Sequence, residues 1–122
     1  LNPLCDTLHA VGYQTQIETS GTFEILVPSK SWVTVSPKVN MKGGYKVLQS
    51  ALDRANEIKH PVAMDKHIEQ LLQLLKQTDI GSKLIYLQPI SQQAKATALA
   101  IAYCKKHNWR LSVQVHKYLG IE

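Results

Sequence analysis

Two periodicities take turns along this chain, and their alternation constrains the fold more than any other feature of the sequence. Short runs of strand-favouring residues recur as YQTQIE, WVTVS, EIKHPV, KLIYLQP and RLSVQV. Between most of them lie stretches whose apolar residues repeat at helical spacing. In YKVLQSALDRANEI the apolar positions are 47, 48, 51, 52 and 55. In DKHIEQLLQLLKQT they are Ile68, Leu71, Leu72, Leu74 and Leu75, with Asp65 as the expected N-cap and Gly81 beyond the end. SQQAKATALAIAYCKKHN is alanine-filled, capped by Ser91 and closed by Lys105, Lys106 and His107, which complement the dipole at a helix C-terminus. A shorter helix, PLCDTLHAV, precedes the first strand and stops at Gly12. Strands separated by helices argue for βαβ units and a mainly parallel sheet, because parallel neighbours need crossover connections. Five strands are too few for a closed barrel of eight, so an open or incomplete (β/α) barrel is expected. KLIYLQP is apolar enough to be expected buried on both faces, and EIKHPV must place Pro61 near its end.

A length of 122 residues with 44% apolar and 19% charged residues describes one globular domain. No apolar run approaches a membrane span, and LNPLCDTLHA lacks the sectors of a secretory signal, so a cytoplasmic location and no membrane partner are expected. Leu1 rather than Met opens the chain, as in a processed or cropped polypeptide. Cys5 and Cys104 are too far apart for a redox pair or a zinc site and read as packed, reduced thiols on helices. The five histidines show no paired metal-binding spacing. The net charge of +5 comes from scattered lysines and arginines with no basic run interleaved with aromatics, which argues against nucleic acid and for an anion pocket.

In parallel α/β folds ligands bind beyond the C-terminal ends of the strands. Every strand here ends in polar residues: Glu18-Thr19-Ser20-Gly21, Ser36-Pro37-Lys38, Lys59-His60, Gln88-Pro89-Ile90-Ser91, and Gln114 with His116-Lys117. The expected result is the rim of a polar pocket. Ser36 and the backbone around Pro37 suit a ribose or a carboxylate, and Lys38 supplies a mobile cation. Glu18 accepts from a ribose hydroxyl or an ammonium, and Gln88 reads a purine-like edge with one donor and one acceptor. Ser91 opens a helix whose N-terminus favours anions, and His116 pairs with a carboxylate or moves a proton.

QIETSGT, WVTVSPKVNMKGGYKVLQSALDRANEIKHPV, LQPIS and NWRLSVQVHKYLGI resemble, in order and spacing, the C-terminal half of the 7-carboxy-7-deazaguanine synthase family. These are radical S-adenosylmethionine (SAM) enzymes of queuosine biosynthesis. The resemblance runs over almost the whole chain, and residues 1–122 read as a single C-terminal portion of a partial (β/α) barrel that lacks the N-terminal strands and the cluster loop. It implies conversion of the small molecule 6-carboxy-5,6,7,8-tetrahydropterin to 7-carboxy-7-deazaguanine. The cofactors implied are SAM, a [4Fe-4S] cluster and Mg2+. By the same resemblance Glu18, Ser36, Pro37 and Lys38 border the SAM, Gln88, Pro89, Ile90 and Ser91 reach its adenine and methionine ends, and His116 with the C-terminal Glu122 faces the substrate carboxylate.

The family's three-cysteine loop and Gly-Gly-Glu-Pro motif are absent from these residues, as is its magnesium ligand, and Cys5 and Cys104 cannot replace three closely spaced thiolates. The chain alone is therefore expected to be inactive. A parallel sheet without its first strands exposes an edge and an apolar face, so a homo-oligomer, in the simplest case a dimer, is expected. Two rival readings remain: a noncatalytic small-ligand or protein-interaction half-barrel, and an RNA-binding module resting on the net charge.

Overall fold

The computed structural model describes residues 2–37, 47–90 and 94–113. Its elements run α1 (Asn2–Ala10), β1 (Gln16–Thr19), β2 (Trp32–Val35), α2 (Gln49–Arg54), β3 (Glu57–Val62), α3 (Asp65–Leu75), β4 (Leu84–Pro89), α4 (Ala94–His107) and β5 (Arg110–Leu111). The five strands form one sheet in the order β1-β2-β3-β4-β5, and every pairing is parallel. Chain order equals spatial order, as the alternating pattern anticipates, because each crossover delivers the next strand to the same side.

Pairing register sorts the side chains. Ile17, Val33, Val35, Ile58, Val62, Ile85 and Leu87 share one face and meet Leu52, Ile68, Leu71 and Ala100 of the helices in a single core. Three helices pack on the strand that precedes them, α2 on β2, α3 on β3 and α4 on β4, with α4 also touching β5. The opposite face carries Gln16, Glu18, Trp32, Thr34, Glu57, Lys59, Tyr86, Gln88 and Arg110. β4 is accordingly buried on its helix side and half-buried on the other, not buried on both as its composition suggested. Among the described residues no second layer covers its polar side.

Element ends differ from expectation for local reasons. α2 stops at Arg54 because Asn56 joins the sheet: its N–H donates to the Val33 carbonyl (2.8 Å) and its Oδ1 accepts from the Val33 N–H (2.8 Å). Residues 45 and 46 of the expected helix lie outside the described residues. Met64, not Asp65, holds the N-cap position of α3 and makes no side-chain cap. Asp65 is the first helical residue, while the His67 Nδ1 accepts from the Ala63 N–H (2.9 Å) and ties down the entry loop. The helix ends at Leu75 with Lys76 as C-cap, so Gly81, at φ +45°, shapes the approach to β4 rather than the helix end. Gly12, at φ +92°, does end α1, and Asn108, at φ +58°, ends α4 with the Trp109 N–H bonded to the Cys104 carbonyl (3.0 Å). β5 is described only as Arg110–Leu111, shorter than the expected run.

Candidate functional site

The polar face of the sheet holds two tiers of paired side chains. In the lower tier Gln16 Nε2 donates to Thr34 Oγ1 (3.2 Å), the Thr34 hydroxyl donates to Glu57 Oε1, and Trp32 Nε1 donates to the same oxygen (3.1 Å). Three adjacent strands are thus laced together at one level. Thr34 is fully buried, so its hydroxyl needs these partners.

The upper tier is charged. Lys59 Nζ lies 3.1 Å from Glu18 Oε2, with the lysine side chain 22% and the glutamate 52% exposed. Glu18 is on β1 and Lys59 on β3, so the pair reaches across β2. Glu18 stands beside Thr34, and Lys59 lies two residues along β3 from Glu57, Thr34's neighbour on that strand. The pair therefore crosses β2 beside Ser36, whose N–H continues the ladder to the Thr19 carbonyl (2.7 Å). At the far side of the sheet Ser112 Oγ donates to Gln88 Oε1 (3.5 Å).

These positions place the expected site residues. Glu18, Ser36 and Gln88 come to the polar face at the C-terminal half of the sheet, as the strand-end argument required. Pro37 and Pro89 are buried, and the Ile90 N–H bonds to the Val62 carbonyl (2.8 Å). Lys38, Ser91, His116 and Glu122 lie outside the described residues, as do Gln114, Lys117 and the Lys42–Tyr45 loop. His60 is a correction to the expected rim. It alternates with Lys59, points into the helix-covered core at 1% exposure, and its Nδ1 bonds to the Pro61 carbonyl (2.9 Å). Burial holds its pKa below the ordinary 6.5, with nearby His67 adding to the effect.

Thr34, Glu57 and Trp32 were not singled out from the sequence. Period-two alternation within WVTVS and EIKHPV was the signal that could have found them. Cys5 is buried in α1 and Cys104 half-buried in α4, both free thiols on helices. Among the described residues no three metal-ligating side chains gather. The described residues therefore offer no three-ligand set for an iron–sulfur cluster or a magnesium ion. They do fit a polar organic ligand, since Glu18, Lys59, Ser36 and Gln88 offer acceptors, a cation and an amide on one open face.

An all-parallel sheet in sequential order, helices on one side and a polar network on the other, is the architecture of a partial (β/α) barrel. No family model matches the chain. Over 122 residues it is 57% identical to the 7-carboxy-7-deazaguanine synthase of Escherichia coli (strain K12), covering 99% of this chain and 55% of that protein. It is 46% identical over 110 residues to the enzyme of the same name from Buchnera aphidicola subsp. Schizaphis graminum, covering 89% of this chain and 48% of that one. The crystal structure of QueE from Escherichia coli superposes with a TM-score of 0.89 at 56% identity, over 93% of this chain and 50% of that chain. Nearly the whole chain is thus similar to 7-carboxy-7-deazaguanine synthases, and it spans about half the length of the curated relatives it matches, as the C-terminal half of such a protein would.

Proposed function

We propose that the chain is the C-terminal, SAM-facing part of a radical SAM lyase that converts 6-carboxy-5,6,7,8-tetrahydropterin to 7-carboxy-7-deazaguanine in queuosine biosynthesis. The observation that carries this reading is 57% identity across 99% of the chain to a relative of that name. In this reading the cluster and Mg2+ would be held by residues outside this chain, and a bound cluster would supply reducing chemistry to SAM. The chain's own residues bind and orient. The Glu18 carboxylate accepts from the ribose or ammonium of SAM while Lys59 balances its charge. Ser36, Pro37 and Lys38 line the same ligand, and Gln88, Pro89, Ile90 and Ser91 take its adenine and methionine ends. His116 and Glu122 face the carboxylate of the pterin.

By itself the chain is inactive, cytoplasmic and homodimeric through its uncovered sheet edge. No helix among the described residues is long and apolar enough to cross a membrane. The test is calorimetric titration of the chain with SAM, alongside an anaerobic turnover assay after supplying iron and sulfide. Binding without turnover is expected, with Glu18→Ala and Gln88→Ala each weakening binding about tenfold. Undiminished binding in both variants would sink the site assignment. Two cysteines in 122 residues favour one alternative, a noncatalytic small-ligand half-barrel. It predicts the same binding, with no conversion even when the family's other half is supplied.

A further inference from the structure

The register sets Thr34 between two carboxylates. Its Cα neighbours are Glu18 on β1 and Glu57 on β3, and all three side chains stand on the polar face. Lys59 follows on that face of β3, about 7 Å along the strand from Glu57. A lysine stem is long enough to reach either carboxylate, so one ammonium has two acidic neighbours to choose from. They share it unequally. Lys59 Nζ lies 3.1 Å from Glu18 Oε2, whereas Glu57 has no ion pair among the described residues.

Neutral donors account for the difference. Glu57 Oε1 takes two of them, the Thr34 hydroxyl and the Trp32 indole N–H (3.1 Å). A hydroxyl has one proton to give, and Gln16 directs it. The Gln16 Nε2 donates to Thr34 Oγ1 (3.2 Å), so that oxygen accepts from the β1 side and its proton goes to β3. Donation into a carboxylate is charge-assisted and disperses part of its charge. Thr34 is fully buried, so water does not compete for the proton. Glu18, by contrast, is half exposed, and among the described residues Lys59 is the partner of its side chain.

We infer that Thr34 and Trp32 are positioning residues: by satisfying Glu57 with neutral donors they reserve Lys59 for Glu18. The pairing holds Glu18 Oε2 on the cation and leaves Oε1 for a hydroxyl or ammonium of the ligand. Neither Thr34 nor Trp32 touches that ligand. They act through Lys59, as a supporting layer beneath the groups that bind. The role for the ligand rests on the reading of Glu18 as its acceptor, while the sorting of the ammonium stands apart from it.

The experiment uses the full chain, first without ligand and then with SAM. Thr34→Val is nearly isosteric and removes one donor, Trp32→Phe removes the other, and Thr34→Ser keeps the hydroxyl. Nuclear Overhauser contacts should join the Lys59 ε-methylene to the Glu18 γ-methylene in the unaltered chain. In the Thr34→Val, Trp32→Phe double variant these contacts should pass to the Glu57 γ-methylene, and adding Glu57→Gln should return them to Glu18. SAM affinity by calorimetry should fall about fivefold in the double variant, recover when Glu57→Gln is added, and hold in Thr34→Ser. A merely structural role for the two residues gives no recovery, because Glu57→Gln restores no packing. Where circular dichroism finds the double variant unfolded, Trp32→Phe alone is read in the same way, since Trp32 is 39% exposed.

The proposal is overturned by Lys59 contacts that stay on Glu18 without the donors, or by contacts and affinity that do not return with Glu57→Gln. Contacts that move while SAM affinity holds overturn the role for the ligand. An unaltered chain that binds no SAM refutes the functional reading instead, and the contacts measured without ligand still decide the sorting.

Discussion

Lys59 and His60 are adjacent, both polar, and opposite in fate. Strand alternation sends the lysine to the open face, where it meets Glu18, and the imidazole into the core against Ile58 and Val62. The exposed ion pair contributes little to folding, so Lys59→Gln should change stability by less than about 1 kcal/mol in urea unfolding while weakening SAM binding. His60 behaves differently. Burial lowers its folded-state pKa below 6.5, and His67, buried at 1% exposure beside Lys66, is lowered for the same main reason. The unfolded chain then binds more protons than the native one below that value. The stabilising contribution is complete above pH 6.5 and is lost as pH falls from 6.5 toward the folded values. Urea midpoints should drop between about pH 7.5 and about pH 5.5, and His60→Leu should flatten the drop. An undiminished pH slope in that variant would assign the effect elsewhere.

Among the elements, α3 is the one whose helical stripe translated most directly into packing. Ile68, Leu71 and Leu75 are buried as their spacing required. Leu71→Ala should cost about 2–5 kcal/mol, read from the urea midpoint, because it deletes a fully buried side chain that the sheet cannot collapse around. The turn after β1 is constrained in another way. Gly21 sits at φ +77°, and a Cβ there would stand 3.0 Å from Cγ1 of both Val35 and Val47. Gly21→Ala should lose at least about 1–2 kcal/mol by the same measurement, since left-handed backbone and crowding act together. The same turn is tied to the end of β1, since the Gly21 N–H donates to Thr19 Oγ1 (3.2 Å). The ends of α2 and α3 were misjudged from sequence. Nothing in ANEI announces that Asn56 will bond the backbone of a strand more than twenty positions upstream, nor in MDKH that His67 will hold the entry loop.

At the scale of the whole molecule the described residues form a core on one side of the sheet and leave the outer edge of β1 unpaired. Among the described residues the most exposed large apolar side chains lie in α1 and in the connections before and after β1. If a second copy covers the free β1 edge, as proposed above, the melting temperature should rise with protein concentration. A concentration-independent melting temperature with monomeric light scattering would contradict that. The net charge of +5 opposes aggregation.

The alternating periodicities of the sequence alone determined the parallel α/β class, the helix-facing core and the polar strand ends, because local spacing decides which side chains can share a face. ETSG, VSPK and QPIS carried the resemblance to 7-carboxy-7-deazaguanine synthases by residues in order. Tertiary structure decided what depends on neighbours distant in the chain: the pairing of Glu18 with Lys59 across β2, the convergence of Thr34 and Trp32 on one oxygen of Glu57, and the burial of His60. Those contacts are set by strand order and register, and a one-residue slip in register would reverse every face.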